Sequence, residues 1–577
     1  MFDPVNLLNS AAFPHPVAHP KLLETHISWV VLTGSFAYKI KKPCRFDFVD
    51  YSQLSLRHHF CQLELQLNRR LAAELYLGVV PIIALPNGQL QFGDIDQTTT
   101  ELGSIVEYAV KMIEFPQDAI LAQRLNQTEL PSAAIDRLAT GIARFHDSIE
   151  VVDPQLECVQ LPHIRQDALD NFELLQRELP VDHECQTLLK KLKEWTEQEF
   201  ARCHSVFADR LNRGFVRRCH GDMHLNNLVM VDGKLFAFDC IEFNEEFQWI
   251  DVISDLAFPL MDFIAAGRSD LGWRLLNVYL ETREDWFGIE LLRFYSVYRA
   301  MVRAKVQWLN SCSSLALLAS NQEAPDSNES NVTKPHLPTW QVYLSTAKRI
   351  AFNHYYRESH KPEDFQSLHG SRDEGREVDE DFGKSDHGDR GGRGGRLAIT
   401  FGVAGSGKST RAMEYIQQYG GIRLRSDIER TRIEIGDHSF ASSPGTEDVK
   451  GTDRQTTGHD GPVGNERYSA ISRAAVYQRL YELADWLLKQ DYTVVVDATF
   501  LLRHDRQRFQ QLAEKHQVSF RILSCQAPQD ELVRRIESRT NDPSEATRDV
   551  LFQQLTIQEP LTNEEQRFCQ TDLGQIK

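Results

Sequence analysis

Two stretches of the 577-residue chain hold side chains of the types and spacing that handle phosphate. The first is Gly402-Val403-Ala404-Gly405-Ser406-Gly407-Lys408-Ser409, set between an apolar run, Leu397 to Phe401, and a helix-compatible segment, Thr410 to Tyr419. Its glycines let the backbone turn tightly enough to aim several N–H groups at phosphate oxygens, with Ser406 and Thr410 completing the cradle. The N-terminus of the following helix adds a favourable partial positive charge. Lys408 can reach the β and γ phosphates of a nucleotide, and the Ser409 hydroxyl can bind Mg²⁺. The second stretch is 219–243, CHGDMHLNNLVMVDGKLFAFDCIEF, with Asp222, then Asn227, then Asp239 closing an apolar run. Phosphoryl transfer needs a carboxylate to orient an acceptor hydroxyl, and an Asn and a second Asp to hold Mg²⁺ on ATP. The H-x-D-x-x-x-x-N spacing and the later Asp supply those three groups.

The surrounding pattern says what must position them. Residues 27–50 read as strands around a Gly34-Ser35 turn, and 56–75 read as a helix. Lys39, on the strand after that turn, is placed to pair with Glu64 on the helix; Lys41 points to the same strand face and competes for the role. A hairpin is expected over 79–93 and a strand over 104–115, where Met112 to Phe115 would meet adenine. Helices are expected from Asp118 to Ile149 and on through Phe207, then a strand–loop–strand unit over 216–243, then helices again to Tyr356. Strands first and helices later argue an α+β domain. From 397 strands alternate with helices: strands at 397–401, 422–424, 493–496 and 518–524, helices at 410–419, 470–489, 504–516 and 529–538. That order argues an α/β domain with a parallel sheet. Here Asp427 is a candidate for the acceptor hydroxyl and Asp497, at a strand end, for Mg²⁺ through water, while Arg535 and Arg539 fall where a lid helix would sit.

Composition bounds the partners. The length calls for two or more domains, and 82 acidic against 64 basic residues leave a net charge of −18, which argues against nonspecific nucleic-acid binding. Ten cysteines with no C-x-x-C suggest neither a structural zinc site nor a disulfide framework. No run reaches membrane-spanning length and the N-terminus has no apolar leader, so a cytoplasmic protein without membrane association is expected. Residues 359–396, rich in Asp, Glu, Arg and Gly, read as a disordered linker, and 437–466 as a polar insert too long for an ordinary loop.

With these residues in view, CHGDMHLNNLVM…FAFDCIEF resembles the catalytic loop and metal-binding strand of the aminoglycoside phosphotransferase-like, kinase-fold enzymes, over roughly residues 1–358. The resemblance implies Asp222 as the catalytic carboxylate and Asn227 and Asp239 as Mg²⁺ ligands. Asp251 and Asp255 match that group's later acidic positions and are expected to be structural. Residues 397–577 are similar to the P-loop small-molecule and polynucleotide kinases. The two in this order resemble bacterial fused aminoglycoside phosphotransferase/ATP-binding proteins. ATP and Mg²⁺ are the implied cofactors, with two nucleotide sites and a small hydroxylated acceptor. An ATP-sensing module and a polynucleotide 5′-kinase are the competing readings. One departure concerns charge: the helix YSVYRAMVRAKVQWL sets Arg299 and Arg303 one turn apart, with Lys305 nearby. Facing the cleft they would call for an anionic acceptor; the expectation is that they pair with Asp or Glu elsewhere.

Overall fold

The computed structural model describes residues 2–570 except 47–48, 98, 102, 126–129, 180–182, 321–338, 353–395, 436–469 and 539–545. Two compact units emerge, Met1–Phe352 and Asn353–Lys577. The expected linker, apart from Arg396, and the expected insert at 437–466 lie outside the described residues. Among the described residues no helix is long and apolar enough to cross a membrane.

The first unit begins with β1 (Lys21–Glu24), β2 (Ser28–Leu32), β3 (Phe36–Lys41), a short ladder of β4 (Arg45–Phe46) and β5 (Val49–Asp50), α1 (Leu54–Ala72), β6 (Tyr76–Ala84), β7 (Leu90–Phe92) and β8 (Ser104–Ile113). Among the described residues they build a six-stranded antiparallel sheet in the order β1-β2-β3-β8-β6-β7. The period of two along β3 sorts its side chains. Tyr38 and Ile40 join Val31, Val80 and Ile82 on a face covered by Leu7, Ala12, Phe13 and Val17 of the N-terminal segment. Ala37 lies on the opposite face, against Cys61 and Leu65 of α1. Lys39 and Lys41 share that helix-covered face, at a register that sets Lys39 opposite Val30 and Val110.

Helices α2 (Leu121–Arg124), α3 (Ser132–Ser148), α4 (Leu161–Glu178), α5 (His183–Arg202) and α6 (His204–Asn212) come next. The continuous helical pattern expected over 118–149 is divided, because Pro131 fixes its own φ and lacks an N–H, and α3 starts immediately after it. Then β9 (Val216–Arg218), β10 (Leu228–Val231), β11 (Lys234–Ala237) and β12 (Trp249–Asp251) form two small ladders, β10 with β11 and β12 with β9. Asp232 and Gly233, both at positive φ, close the β10–β11 hairpin in two residues. That hairpin brings its two ends, Asn227 and Asp239, side by side: the Phe238 N–H donates to the Asn227 carbonyl at 3.0 Å. The unit closes with α7 (Val252–Ala265), α8 (Ser269–Arg283), α9 (Ile289–Ser320) and α10 (Trp340–Phe352). Every residue of α7 from Val252 to Ile264 is buried, so it is a central helix packed on all sides.

The second unit alternates as its sequence requires: β13 (Arg396–Phe401), α11 (Lys408–Tyr419), β14 (Ile422–Arg425), α12 (Ser426–Ile435), α13 (Ala470–Lys489), β15 (Val494–Asp497), α14 (Arg503–His516), β16 (Ser519–Ser524), α15 (Gln529–Glu537), α16 (Arg548–Ile557) and α17 (Asn563–Gln566). The sheet is parallel, in the order β14-β15-β13-β16. β13 and β15 are almost wholly buried, which is why they read as unbroken apolar runs. The glycine loop leaves the carboxyl end of β13, between strands whose helical connections run in opposite directions along the sheet. That is where such folds open a ligand crevice.

Candidate functional site

In the first unit the three separated pieces expected to cooperate do come together. Lys39 Nζ donates to Glu64 Oε1 at 2.8 Å and to Asp239 Oδ1 at 2.5 Å. The choice between Lys39 and Lys41 resolves into a division of labour. Lys41 Nζ donates to the other Glu64 oxygen, Oε2, at 2.8 Å and also to Glu242. Glu64 therefore holds one lysine on each oxygen and is fully buried. Burial alone would drive these lysines down in pKa, but Asp239 and Glu64 hold Lys39, and Glu242 and Glu64 hold Lys41, well above the ordinary value. Burial pushes Glu64 up, and its two lysines more than reverse that. Burial prevails at Glu242, which faces one lysine and the Tyr51 hydroxyl and is raised.

Asp239 is set by neighbours that the sequence reading did not single out. Its backbone N–H donates to the Tyr76 hydroxyl at 3.1 Å, and the next amide, Cys240, donates to Asn68 Oδ1 at 2.8 Å. Asn68 lies one turn beyond Glu64 on α1, a spacing that puts both on one face. Asp239 itself adopts φ 60°, a left-handed conformation that Asp tolerates better than most residues.

The His220–Asn227 loop is anchored from beneath by α7. The His220 and Gly221 amides donate to Asp255 Oδ2 and Oδ1 at 3.1 and 3.0 Å, and the Leu225 amide donates to Asp262 Oδ2 at 2.8 Å. Asp255 is in turn 3.1 Å from His146 Nε2. Burial holds the His146 and His220 imidazoles below their ordinary pKa. Gly221 sits at φ 84°, and a Cβ there would lie 2.7 Å from the Phe247 carbonyl oxygen. Asp251 caps α7 and forms a buried ion pair with Arg210, so both later acids take the structural places expected of them.

At the loop's tip, Asn227 Nδ2 donates to the Asp222 carboxylate at 3.0 Å and to its carbonyl at 2.9 Å, leaving the Asn227 amide oxygen facing elsewhere. Asp222 stays about a third exposed (36%) and keeps a route to solvent. Burial pushes its carboxyl up, but His224 at 3.4 Å, Arg303 and His220 outweigh that and hold it well below the usual carboxylate range. Asn227 and Asp239 offer hard oxygen ligands of the kind that Mg²⁺ prefers. Of the segment expected to meet adenine, Met112 and Ile113 end β8 and Glu114 and Phe115 follow it; Glu114 Oε2 accepts the Thr33 and Gly34 amides at 2.8 and 2.6 Å, and Phe115 packs edge-on to Phe238.

In the second unit Gly405, Ser406, Gly407, Lys408, Ser409 and Thr410 line a cleft of about 900 Å³, and Asp427, Asp497 and Arg535 line it too. Gly402, at φ 150°, lies just outside that lining. A Cβ on it would come within 2.3 Å of the Cys525 carbonyl oxygen, so the loop's path past β16 requires glycine there. Lys408 Nζ donates to the Val403 carbonyl at 2.8 Å. The Ser406 hydroxyl and Asp497 Oδ2 are buried with no hydrogen-bond partner, and the nearest Arg425 nitrogen is 3.7 Å from Asp497. Orphaned polar atoms beside a glycine cradle fit a phosphate and its cation. Asp427 stands in the first turn of α12, 3.4 Å from Arg430 of the same helix. Arg535 donates to the Gly405 carbonyl at 3.3 Å and to Glu531 at 2.7 Å. Arg539 lies outside the described residues. Gln554 of α16, which no motif announced, accepts the Ala404 amide at 2.7 Å.

The expectation for the late helix is corrected. Among the described residues no carboxylate lies within ion-pair distance of Arg299 or Arg303. Arg299 donates to the Ser254 carbonyl and lies 4.9 Å from the Phe258 ring centroid; Arg303 lies 5.6 Å from that of Tyr343. The period of 3.6 put both on one face but said nothing of what faced them. Lys305 likewise has no carboxylate within ion-pair distance among the described residues; Asp170 and Asp167 oppose from farther off the drop that burial imposes on it, as Asp262 and Asp222 act on Arg303.

Residues 397–561 match the family model described as "AAA domain". Over 543 residues the chain is 25% identical to an uncharacterized protein of Mycobacterium tuberculosis, covering 93% of this chain and 90% of that one, and equally to one of Mycobacterium bovis. Among solved structures it is similar to a choline/ethanolamine kinase family protein from Mesorhizobium loti (10% identity, 57% of this chain and 92% of that chain, TM-score 0.30). It is also similar to the APS kinase CysC of Mycobacterium tuberculosis (21% identity, 26% and 71%, TM-score 0.19).

Proposed function

We propose that this chain, which joins a kinase-like domain to a P-loop domain, transfers the γ-phosphate of ATP to a hydroxyl of a small molecule, with a nucleotide site in each half. The observation that carries the reading is Lys39 bridging Glu64 and Asp239 beside the Asp222–Asn227 pair. A strand lysine paired with a helix glutamate, beside an aspartate placed to bind the metal, is the arrangement that positions ATP phosphates in protein kinases.

In the first domain Lys39, fixed by Glu64, neutralises phosphate charge while Asp222 accepts a hydrogen bond from the acceptor hydroxyl. The acceptor oxygen forms its bond to the γ phosphorus as the bond from that phosphorus to the bridging oxygen breaks, and ADP departs. The hydroxyl proton passes to Asp222. Because His224, Arg303 and His220 hold Asp222 below the ordinary carboxylate range, it is a weak base. It orients the hydroxyl from the start and takes the proton only as the new bond forms. Asn227 and Asp239 would hold Mg²⁺, which when bound supplies charge neutralisation on the phosphates. In the P-loop domain Lys408 and the loop amides bind phosphate, Ser409 and Asp497 serve the cation, and Asp427 serves the acceptor.

The test is transfer from γ-labelled ATP to a metabolite extract with Asp222→Ala and Lys408→Ala made separately in the full chain. Each variant is expected to lose a distinct labelled product; full activity in both would end the assignment.

Lys41 yields a further expectation. Lys41→Met leaves Glu242 and one oxygen of Glu64 buried without their cation. Breaking a buried ion pair from one side costs about 3–5 kcal/mol. The urea midpoint of the first unfolding transition, followed by tryptophan fluorescence, should fall accordingly, and an unchanged midpoint would show that the pair contributes nothing.

A further inference from the structure

Arg299 and Arg303 are each only 6% exposed, one turn apart on α9. A guanidinium stays charged at any pH a protein survives, and a buried charge without a counter-ion is costly enough that native proteins supply one. Among the described residues neither arginine has a carboxylate within ion-pair distance, although Asp262 and Asp222 act on Arg303 from farther away. Arg299 Nη2 and Arg303 Nε are buried with no hydrogen-bond partner, and the hydroxyls of Ser254 and Ser296, on the two helices that meet here, are buried and unpartnered as well. All four orphaned atoms can donate. Their aromatic neighbours, Phe258 and Tyr343, soften the charge but accept no hydrogen bond through their rings.

The position of this donor cluster is what gives it meaning. Phe258, under Arg299, packs against His224, 5.7 Å between ring centroids. The Tyr343 hydroxyl under Arg303 donates to Asp262, which holds the Leu225 amide of the same loop. Arg303 is also among the cations that hold the Asp222 carboxyl down. Asp222, already bonded to Asn227 and facing His224, and Asp262, already accepting from Tyr343 and the Leu225 amide, lie beyond ion-pair distance and leave the orphaned guanidinium nitrogens unmatched.

We infer that the acceptor of the first domain is an anion. Its carboxylate or phosphate group is seated on Arg299 and Arg303, and its hydroxyl is thereby presented to Asp222. The inference rests on the phosphotransferase reading for the role of Asp222, but the anion site stands on the orphaned donors alone. A cationic amino alcohol or aminosugar is disfavoured by the same two charges, since like-charge juxtaposition rejects a wrong partner.

The experiment uses the full chain carrying Lys408→Ala, to weaken phosphate binding at the P-loop. Radiolabelled sulfate is the first probe, in equilibrium dialysis. The expected result is a saturable site that Arg303→Gln and Arg299→Gln each weaken at least tenfold and that Arg303→Lys, which keeps the charge, partly restores. Sulfate binding indifferent to both arginines overturns the inference, and the lysine variant separates lost charge from lost folding. The second probe is a matched set on one scaffold: glucose, gluconate, glucose 6-phosphate and glucosamine, competed against the bound sulfate. Displacement by gluconate identifies a carboxylate site and displacement by glucose 6-phosphate a phosphate site; preferential displacement by glucosamine overturns the inference. Because the readout is binding, its failure is distinguishable from failure of the phosphotransferase reading, which shows instead as Asp222-independent turnover.

Discussion

Asp222→Asn is expected to lower phosphate transfer by the first domain about 10³-fold, within the range that a positioned acid or base contributes. The substitution preserves shape and keeps one oxygen able to accept from Asn227, whose amide lies 3.0 Å from the carboxylate. It removes the negative charge that His224 and Arg303 face, and with it the destination of the hydroxyl proton. Nucleotide binding should change little, because Lys39, Glu64 and Asp239 form a connected set to which Asp222 makes no hydrogen bond. The effect should therefore fall on kcat rather than on the KM for ATP. Steady-state kinetics with an acceptor identified from the labelled extract measure both. A variant that retains kcat, or one that loses only ATP affinity, would remove Asp222 from the chemical step.

Lys408→Ala is expected to weaken ATP at the second site by about 10- to 100-fold, the equivalent of one lost hydrogen bond to a charged group. In the ligand-free loop Lys408 donates to the Val403 carbonyl, so its ammonium is already held at the cradle, and little reorganisation is needed to turn it onto a phosphate. Titration with a fluorescent ATP analogue distinguishes the two halves by stoichiometry. The parent chain and Asp222→Asn should each bind two nucleotides, and Lys408→Ala should bind one in the same concentration range. Two equivalent sites surviving in Lys408→Ala would mean that the glycine loop does not bind nucleotide.

The parts legible from sequence are those whose chemistry is local. The glycine loop announces itself because backbone amides at consecutive residues do the binding and only glycine fits positions such as Gly402. Its flanking strand and helix begin within two residues of where the pattern put them. Asp222, Asn227 and Asp239 are carried by one loop and one hairpin, so spacing suffices. Lys39 and Glu64 were reachable through strand alternation and helical period. What stayed hidden depends on distant pairing or on elements too short to show a period. Lys41 meets Glu242 across 201 positions. β12, only three residues long, pairs with β9. The N-terminal turns that cover the sheet leave no periodic trace. Helical spacing placed Arg299 and Arg303 together, yet among the described residues no carboxylate comes within ion-pair distance: their near neighbours are the Ser254 carbonyl and the rings of Phe258 and Tyr343.

Glu64 held by two lysines bears on control as well as on geometry. In protein kinases the corresponding ion pair is a switch: the helix swings, one contact breaks, and the active arrangement is lost. Here the same swing would have to break contacts at both oxygens of one buried carboxylate and release Asn68 from Cys240. If each buried ion pair lost costs about 3 kcal/mol, the swung-out state is populated at well below one molecule in about a thousand. The sheet of the first unit and α1 are built to stay assembled, and under the proposed phosphotransferase reading turnover follows the supply of acceptor and ATP rather than a movement of α1. Amide exchange along α1 offers the check: protection should already be high without nucleotide and rise little when it is added.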